Sequence, residues 1–215
     1  MRLPVSDICV LCGVRSATTR DHVPPKGLFK GLGVQQTTVP ACAICNNGSS
    51  SYDEDVRFYI SAQIGKQAAG SAKLWEDGAH KSIKRKATLR KQVVGTTREV
   101  ETVDANGNRV VRLAFEAPVE AYQVVFERTT RGLYFAHTAR ILPPATPIVV
   151  DMLRSKPDFS TEEIAALTRR SIGADACVYR YGIDDACNDS SLWIYEFYSA
   201  HWVMVKTGLC ADSAF

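Results

Sequence analysis

Cys9-Val10-Leu11-Cys12-Gly13 and Cys42-Ala43-Ile44-Cys45-Asn46-Asn47-Gly48 bracket a segment that carries Asp21-His22-Val23-Pro24-Pro25-Lys26. Two thiolate pairs at two-residue spacing can close a tetrahedral Zn²⁺ site with no open position, which builds structure and does no chemistry. The stretch holds few large apolar residues, and structural zinc supplies roughly 10–16 kcal/mol of apparent folding free energy at neutral pH. A zinc on Cys9, Cys12, Cys42 and Cys45 therefore ties residue 9 to residue 45. Gly13, directly after the second cysteine, suits the chain reversal expected there because glycine tolerates positive φ.

Closing that clip brings Asp21-His22 towards Asn46. An aspartate oxygen and an amide oxygen suit a hard cation such as Mg²⁺ or Mn²⁺, and an imidazole titrating near neutrality can take a proton from an attacking water. The order Cys-x2-Cys, Asp-His, Cys-x2-Cys-Asn resembles the HNH nucleases of the ββα-metal superfold, above all the zinc-bound four-cysteine subgroup to which phage endonuclease VII belongs. The resemblance implies Cys9, Cys12, Cys42 and Cys45 on structural zinc, His22 as general base, and Asp21 and Asn46 on the catalytic divalent cation. It spans the N-terminal module only. Many members place an Asn between the histidine and the second cysteine pair, and Val23 to Ala41 contains none. Orientation of His22 then falls to Gln35, Gln36, Thr37, Thr38 or a backbone carbonyl.

The chain has 215 residues, 46% hydrophobic and 23% charged, as in soluble globular proteins. No stretch approaches the roughly 20 apolar residues of a membrane span. The N-terminus has no apolar run of signal-peptide length, so a cytoplasmic location is the expectation. The remaining Cys177, Cys187 and Cys210 form no close-spaced pair, which makes a disulfide framework the poorer reading. Net charge is +3, but residues 66–98 hold nine Lys and Arg against two acids, while 99–215 hold eleven against sixteen. Three segments follow: a zinc-bound nuclease module over 1–65, a basic helical connector over 66–98, and an α+β region over 99–215.

Beyond the module, Ser51-Tyr52-Asp53-Glu54 has a capping-box pattern, with Val56, Tyr59, Ile60 and Ile64 at helical spacing. Asp53, Glu54 and Asp55 suit the helix dipole, and Asp53 or Glu54 is a further candidate at the cation. Lys81-Ser82-Ile83-Lys84-Arg85-Lys86, together with Lys26, are the candidate contacts to a polyanionic backbone. Gln92 to Phe115 reads as a β-hairpin around Asn106-Gly107. Pro118 suits the start of a helix bearing Val119, Tyr122, Val125, Phe126 and Thr129. That helix either stops at Gly132 or runs on through His137, a packed core histidine. Ser160 caps a helix through Arg170. Ile148–Val150, Cys177–Tyr181, Leu192–Tyr198 and Trp202–Lys206 read as strands whose aromatics form sheet core.

The fold class expected is α+β: an N-terminal zinc-bound ββα-metal module followed by a mixed α/β C-terminal region with antiparallel sheet. The expected function is metal-dependent hydrolysis of phosphodiester bonds in DNA, with no membrane partner. Cutting both strands would favour a homodimer. The alternative is a non-catalytic zinc-stabilised module that binds nucleic acid or protein.

Overall fold

In the computed structural model, which describes residues 4–62, 69–104, 106–174, 176–184, 186–187 and 189–208, strand β1 (Thr19–Val23) pairs antiparallel with β2 (Thr37–Ala41). Side chains alternate along a strand, so Asp21 and Val23 turn inward while Arg20 and His22 lie on the more exposed face. Pro24 and Pro25 end the strand, and a short 3-10 turn at Lys26–Phe29 drops Leu28 and Phe29 into the core. Tyr198 anchors that turn from the far end of the chain by donating its hydroxyl to the Leu28 carbonyl at 2.6 Å.

Cys42 caps α1 (Ala43–Asn47), its sulfur accepting from the Cys45 N–H at 3.5 Å. Helix α2 (Ser50–Ser61) follows; its cap is Ser49, two residues before the Ser51 read from the sequence, and no side chain caps it. Its buried residues include Val56, Phe58, Tyr59 and Ile60, whereas Ile64 and Lys66 lie outside the described residues. Residues 69–96 form α3 (Ala69–Leu74), a wide turn at Trp75–Ala79 relieved by Gly78 at φ +113°, α4 (His80–Arg85) and α5 (Ala87–Thr96). Helix α5 takes in Gln92–Thr96, so the hairpin does not begin at Gln92. Leu89 and Val93, four residues apart, bury one helical face, and Thr96 and Thr97 donate back to the Gln92 and Val93 carbonyls. The hairpin is therefore shorter, β3 (Arg98–Val103) with β4 (Arg109–Ala114), turning at Gly107 with φ +85°.

Helix α6 (Val119–Thr138) is the axis of the molecule. It packs against β1, β2, α2 and two strands of the C-terminal sheet, with Tyr122, Val125, Phe126 and Leu133 buried. Gly132 continues the helix instead of stopping it. A Cβ at 132 would sit 2.5 Å from Val23 Cγ1, so the missing side chain is what lets α6 lie directly on β1. The helix ends at Ala139, in the left-handed region with φ 58°.

The C-terminal sheet is antiparallel, in the order β5-β9-β8-β7-β6, from β5 (Ile148–Leu153), β6 (Thr168–Ile172), β7 (Cys177–Ile183), β8 (Ser191–Phe197) and β9 (His201–Thr207). Helix α7 (Thr161–Ala166) carries a reciprocal Ser160/Glu163 capping box. It stops before Arg170 because residues 168–172 pair with β7 as an edge strand. The sheet aromatics are core: Trp193 stacks on Tyr181 at 4.8 Å, and the Tyr195 and Thr130 hydroxyls bond at 2.8 Å. His137 packs as expected, stacked on Tyr181 at 4.4 Å with Nε2 3.0 Å from the Tyr179 hydroxyl.

One hydrophobic cluster runs from Cys9 through α2 and α6 to Val205, so the three sequence segments share a core. Cys177 is a buried free thiol. Cys187 is disulfide-bonded, a link that cysteine spacing did not announce; Cys210 lies outside the described residues. Among the described residues, no helix is long and apolar enough to cross a membrane.

Candidate functional site

The Sγ atoms of Cys9, Cys12, Cys42 and Cys45 all lie within 4.8 Å of one another. A tetrahedral zinc with Zn–S bonds of about 2.3 Å places its sulfurs roughly 3.8 Å apart, so the cluster needs only slight contraction to hold one. Backbone bonds shape the first pair: the Cys9 N–H donates to the Arg15 carbonyl at 2.7 Å and the Gly13 N–H to the Cys9 carbonyl at 2.8 Å. Gly13 meets the reversal with φ +66°. The Val10 N–H donates to the Pro40 carbonyl at 3.1 Å, pinning that pair to β2, from whose end the second pair leaves. Burial pushes the Cys42 thiol up, but the Cys45 backbone N–H, the neighbouring thiols and Arg15, 4.0 Å away, outweigh it and bring it down to about 6. This is a four-thiol cage suited to a metal such as zinc.

Behind the hairpin lies a second polar centre. Asp21 points inward from β1 and Asp53 rises from the first turn of α2; both meet Arg128 of α6. Arg128 Nη2 donates to Asp53 Oδ1 at 2.5 Å, while Nη1 stands 3.6 Å from Asp21 Oδ2. Asp21 and Arg128 are 7% and 6% exposed. Burial, with the Asp53 charge adding to it, lifts the Asp21 carboxyl to about 6 against the pull of Arg128. Burial likewise raises Asp53.

His22 lies on the opposite face of β1. Burial first, and the charge of Lys26 second, hold its imidazole below the usual value, neutral at pH 7. No group among the described residues hydrogen-bonds its ring. Two of the candidates for that task are engaged elsewhere: Thr38, the cross-strand partner of His22, takes Arg20 Nε on its hydroxyl and Nη2 on its carbonyl, and Gln36 donates to the Pro24 carbonyl. Asn46 is held against β1. Its Nδ2 donates to the Arg20 carbonyl at 3.1 Å and to the Thr19 hydroxyl at 3.2 Å, and Thr19 shares the Asp21 face of the strand. Both donations use nitrogen, and Oδ1 has no hydrogen-bond partner among the described residues.

The basic run divides in two. Lys81 and Lys84 are exposed, and so is Lys26 in its turn. Arg85 pairs with Glu54 at 2.7 Å and Lys86 with Asp55 at 2.6 Å. Glu54 also accepts from the Ser82 hydroxyl, which with Arg85 and Arg57 holds its carboxyl below the usual range. Arg128 was missed by sequence reasoning. The available signal was a charged residue set among Val125, Phe126 and Thr129 on the apolar side of a helix, since an arginine is seldom fully buried without a partner. No family model, curated protein or solved structure matches the chain.

Proposed function

We propose that the chain is a metal-dependent HNH endonuclease that hydrolyses phosphodiester bonds in DNA, with His22 as general base and a divalent cation, Mg²⁺ or Mn²⁺, at Asp21 and Asn46. The observation that carries this reading is Asn46. The residue after the second cysteine pair is bonded to the strand bearing Asp21-His22, its Nδ2 donating to the Thr19 hydroxyl and to the Arg20 carbonyl just before that dipeptide. A structural zinc cage alone has no use for that arrangement. Asp21 fits the cation chemically: its Oδ2 is a buried carboxylate oxygen with no hydrogen-bond partner.

When bound, such a cation neutralises charge at the scissile phosphate and at the departing oxygen. The neutral His22 ring accepts the proton of the attacking water. Lys26, exposed in the turn after β1 and close enough to bias His22, meets a neighbouring phosphate, and Lys81 and Lys84 extend the cationic surface. Arg85 and Lys86 reach DNA only by leaving Glu54 and Asp55.

Two observations favour a second reading. Arg128 engages Asp21, and nothing hydrogen-bonds the His22 ring among the described residues, which suits a non-catalytic zinc-stabilised module that binds nucleic acid or protein. The deciding experiment is nicking of plasmid and branched DNA with Mg²⁺ or Mn²⁺, wild type against His22→Ala. Cutting is expected from wild type, with a loss of about 10²-fold or more in the variant. Wild-type protein that binds DNA without cutting it establishes the second reading.

A further inference from the structure

The buried cluster does not balance. Two carboxylates, buried Asp21 and partly exposed Asp53, face the single guanidinium of Arg128, leaving one negative charge unmatched. Its hydrogen bonding is equally incomplete: Asp21 Oδ2 has no donor, and Arg128 Nε and Nη1 have no acceptor. The Arg128–Asp53 bond at 2.5 Å is well made, whereas the Arg128–Asp21 approach at 3.6 Å is an ion pair without a hydrogen bond. Unpaired buried charges and polar atoms are costly: the unmatched carboxylate charge and the orphaned Asp21 Oδ2 suit a cation, and the orphaned Arg128 N–H groups suit an anion beside it. Arg128 also lines a cavity of about 370 Å³ beside Cys45, Ser49 and Arg131. The Ser49 hydroxyl there is buried and unpartnered as well.

We propose that Asp53 is a further ligand to the divalent cation at Asp21, and that Arg128 is an internal counter-ion which the cation displaces from Asp21. The inference rests on the cation site of the nuclease reading and adds two residues to it, one from a helix outside the resemblance. A divalent cation changes the cluster from a net −1 to a net +1. That matches the single negative charge of a phosphodiester. Released from Asp21, the Arg128 guanidinium faces the cavity, where Ser49 offers a second donor to the same anion. The metal-free pairing sets a positive charge between the two carboxylates and ties α6 to β1 and α2.

The test is Mn²⁺ binding to the zinc-loaded full chain, read by the electron paramagnetic resonance of free Mn²⁺, with zinc content and melting temperature as controls for folding. Asp53→Asn still accepts the Arg128 hydrogen bond, so it is expected to fold and to bind Mn²⁺ about tenfold or more weakly. Arg128→Gln removes the competing charge and is expected to tighten binding by about tenfold. Should Arg128→Gln not fold, Asp53→Asn carries the test alone. An unchanged affinity in Asp53→Asn, alongside weakened binding in Asp21→Asn, overturns this inference and leaves the nuclease reading standing. Unchanged or weaker binding by folded Arg128→Gln removes the counter-ion role. Absence of Mn²⁺ binding by wild type, or none lost in Asp21→Asn, overturns the nuclease reading itself.

Discussion

The cysteine cage and the Asp21–Arg128–Asp53 cluster flank the same hairpin and are assembled in opposite ways. The cage draws all four sulfurs from residues 9–45 and closes on itself, with backbone bonds from Val10, Gly13 and Cys45 shaping each pair. The cluster takes one residue each from β1, α2 and α6, and is left with an unmatched charge and orphaned polar atoms. A centre that is saturated can only hold structure. One that is short of a cation has something left to bind. That contrast separates the scaffold from the candidate reaction site more sharply than residue identity does, because cysteine and aspartate both serve in either role.

The largest expected effect comes from breaking the cage. Chelation, or Cys42→Ser, removes a contribution on the order of 10 kcal/mol, comparable with the whole stability of an ordinary domain. Loss of the N-terminal hairpin is the expected outcome, visible as a cooperative change in far-ultraviolet circular dichroism on adding chelator. A chelated protein that melts as before would mean that the cage is not the scaffold.

A smaller effect sharpens the cluster. Gly132→Ala pushes a methyl into the Val23 side chain, which is fully buried and β-branched, and overpacking of this kind costs about 1–3 kcal/mol. It also lifts α6 from β1, so denaturant unfolding should register the loss while zinc content stays at wild type. If stability does not change, α6 is not held by that contact.

The smallest effect belongs to the exposed counterpart of the cluster. Arg85, 64% exposed at its side chain, pairs with Glu54, and such surface pairs contribute about 0–1 kcal/mol. Arg85→Gln should leave the melting temperature nearly unchanged. A large drop would show that the α2–α4 contact, and not only the buried triad, carries the electrostatic weight of α2.

Three consecutive acids show where reading by eye stops. Asp53, Glu54 and Asp55 look like one group at a helix start, and the dipole argument treats them alike. Successive helical residues point about 100° apart, so they separate: Asp53 to Arg128 of α6, Glu54 to Ser82 and Arg85 of α4, and Asp55 to Lys86. Their types and positions were legible, whereas their partners were not. Gly132 is similar. A glycine late in a helix reads equally as a stop or as a close approach, and only the presence of Val23 opposite decides. Thr96 and Thr97 likewise favour strand by composition, but Thr96 closes α5 and Thr97 follows it because Leu89 and Val93 bury a helical face against the core.

From residues alone came the four clustered cysteines, the later strands and the helix after Pro118. All depend on short spacings or on local periodicity, which the chain carries wherever it folds. Tertiary structure alone decided that Arg128 lies between Asp21 and Asp53, that Arg85 and Lys86 are spent on α2, and that one core joins the hairpin to the C-terminal sheet. The reason is physical: a charge finds its partner through packing across elements far apart in sequence, and no local pattern records which helix will come to rest on which strand.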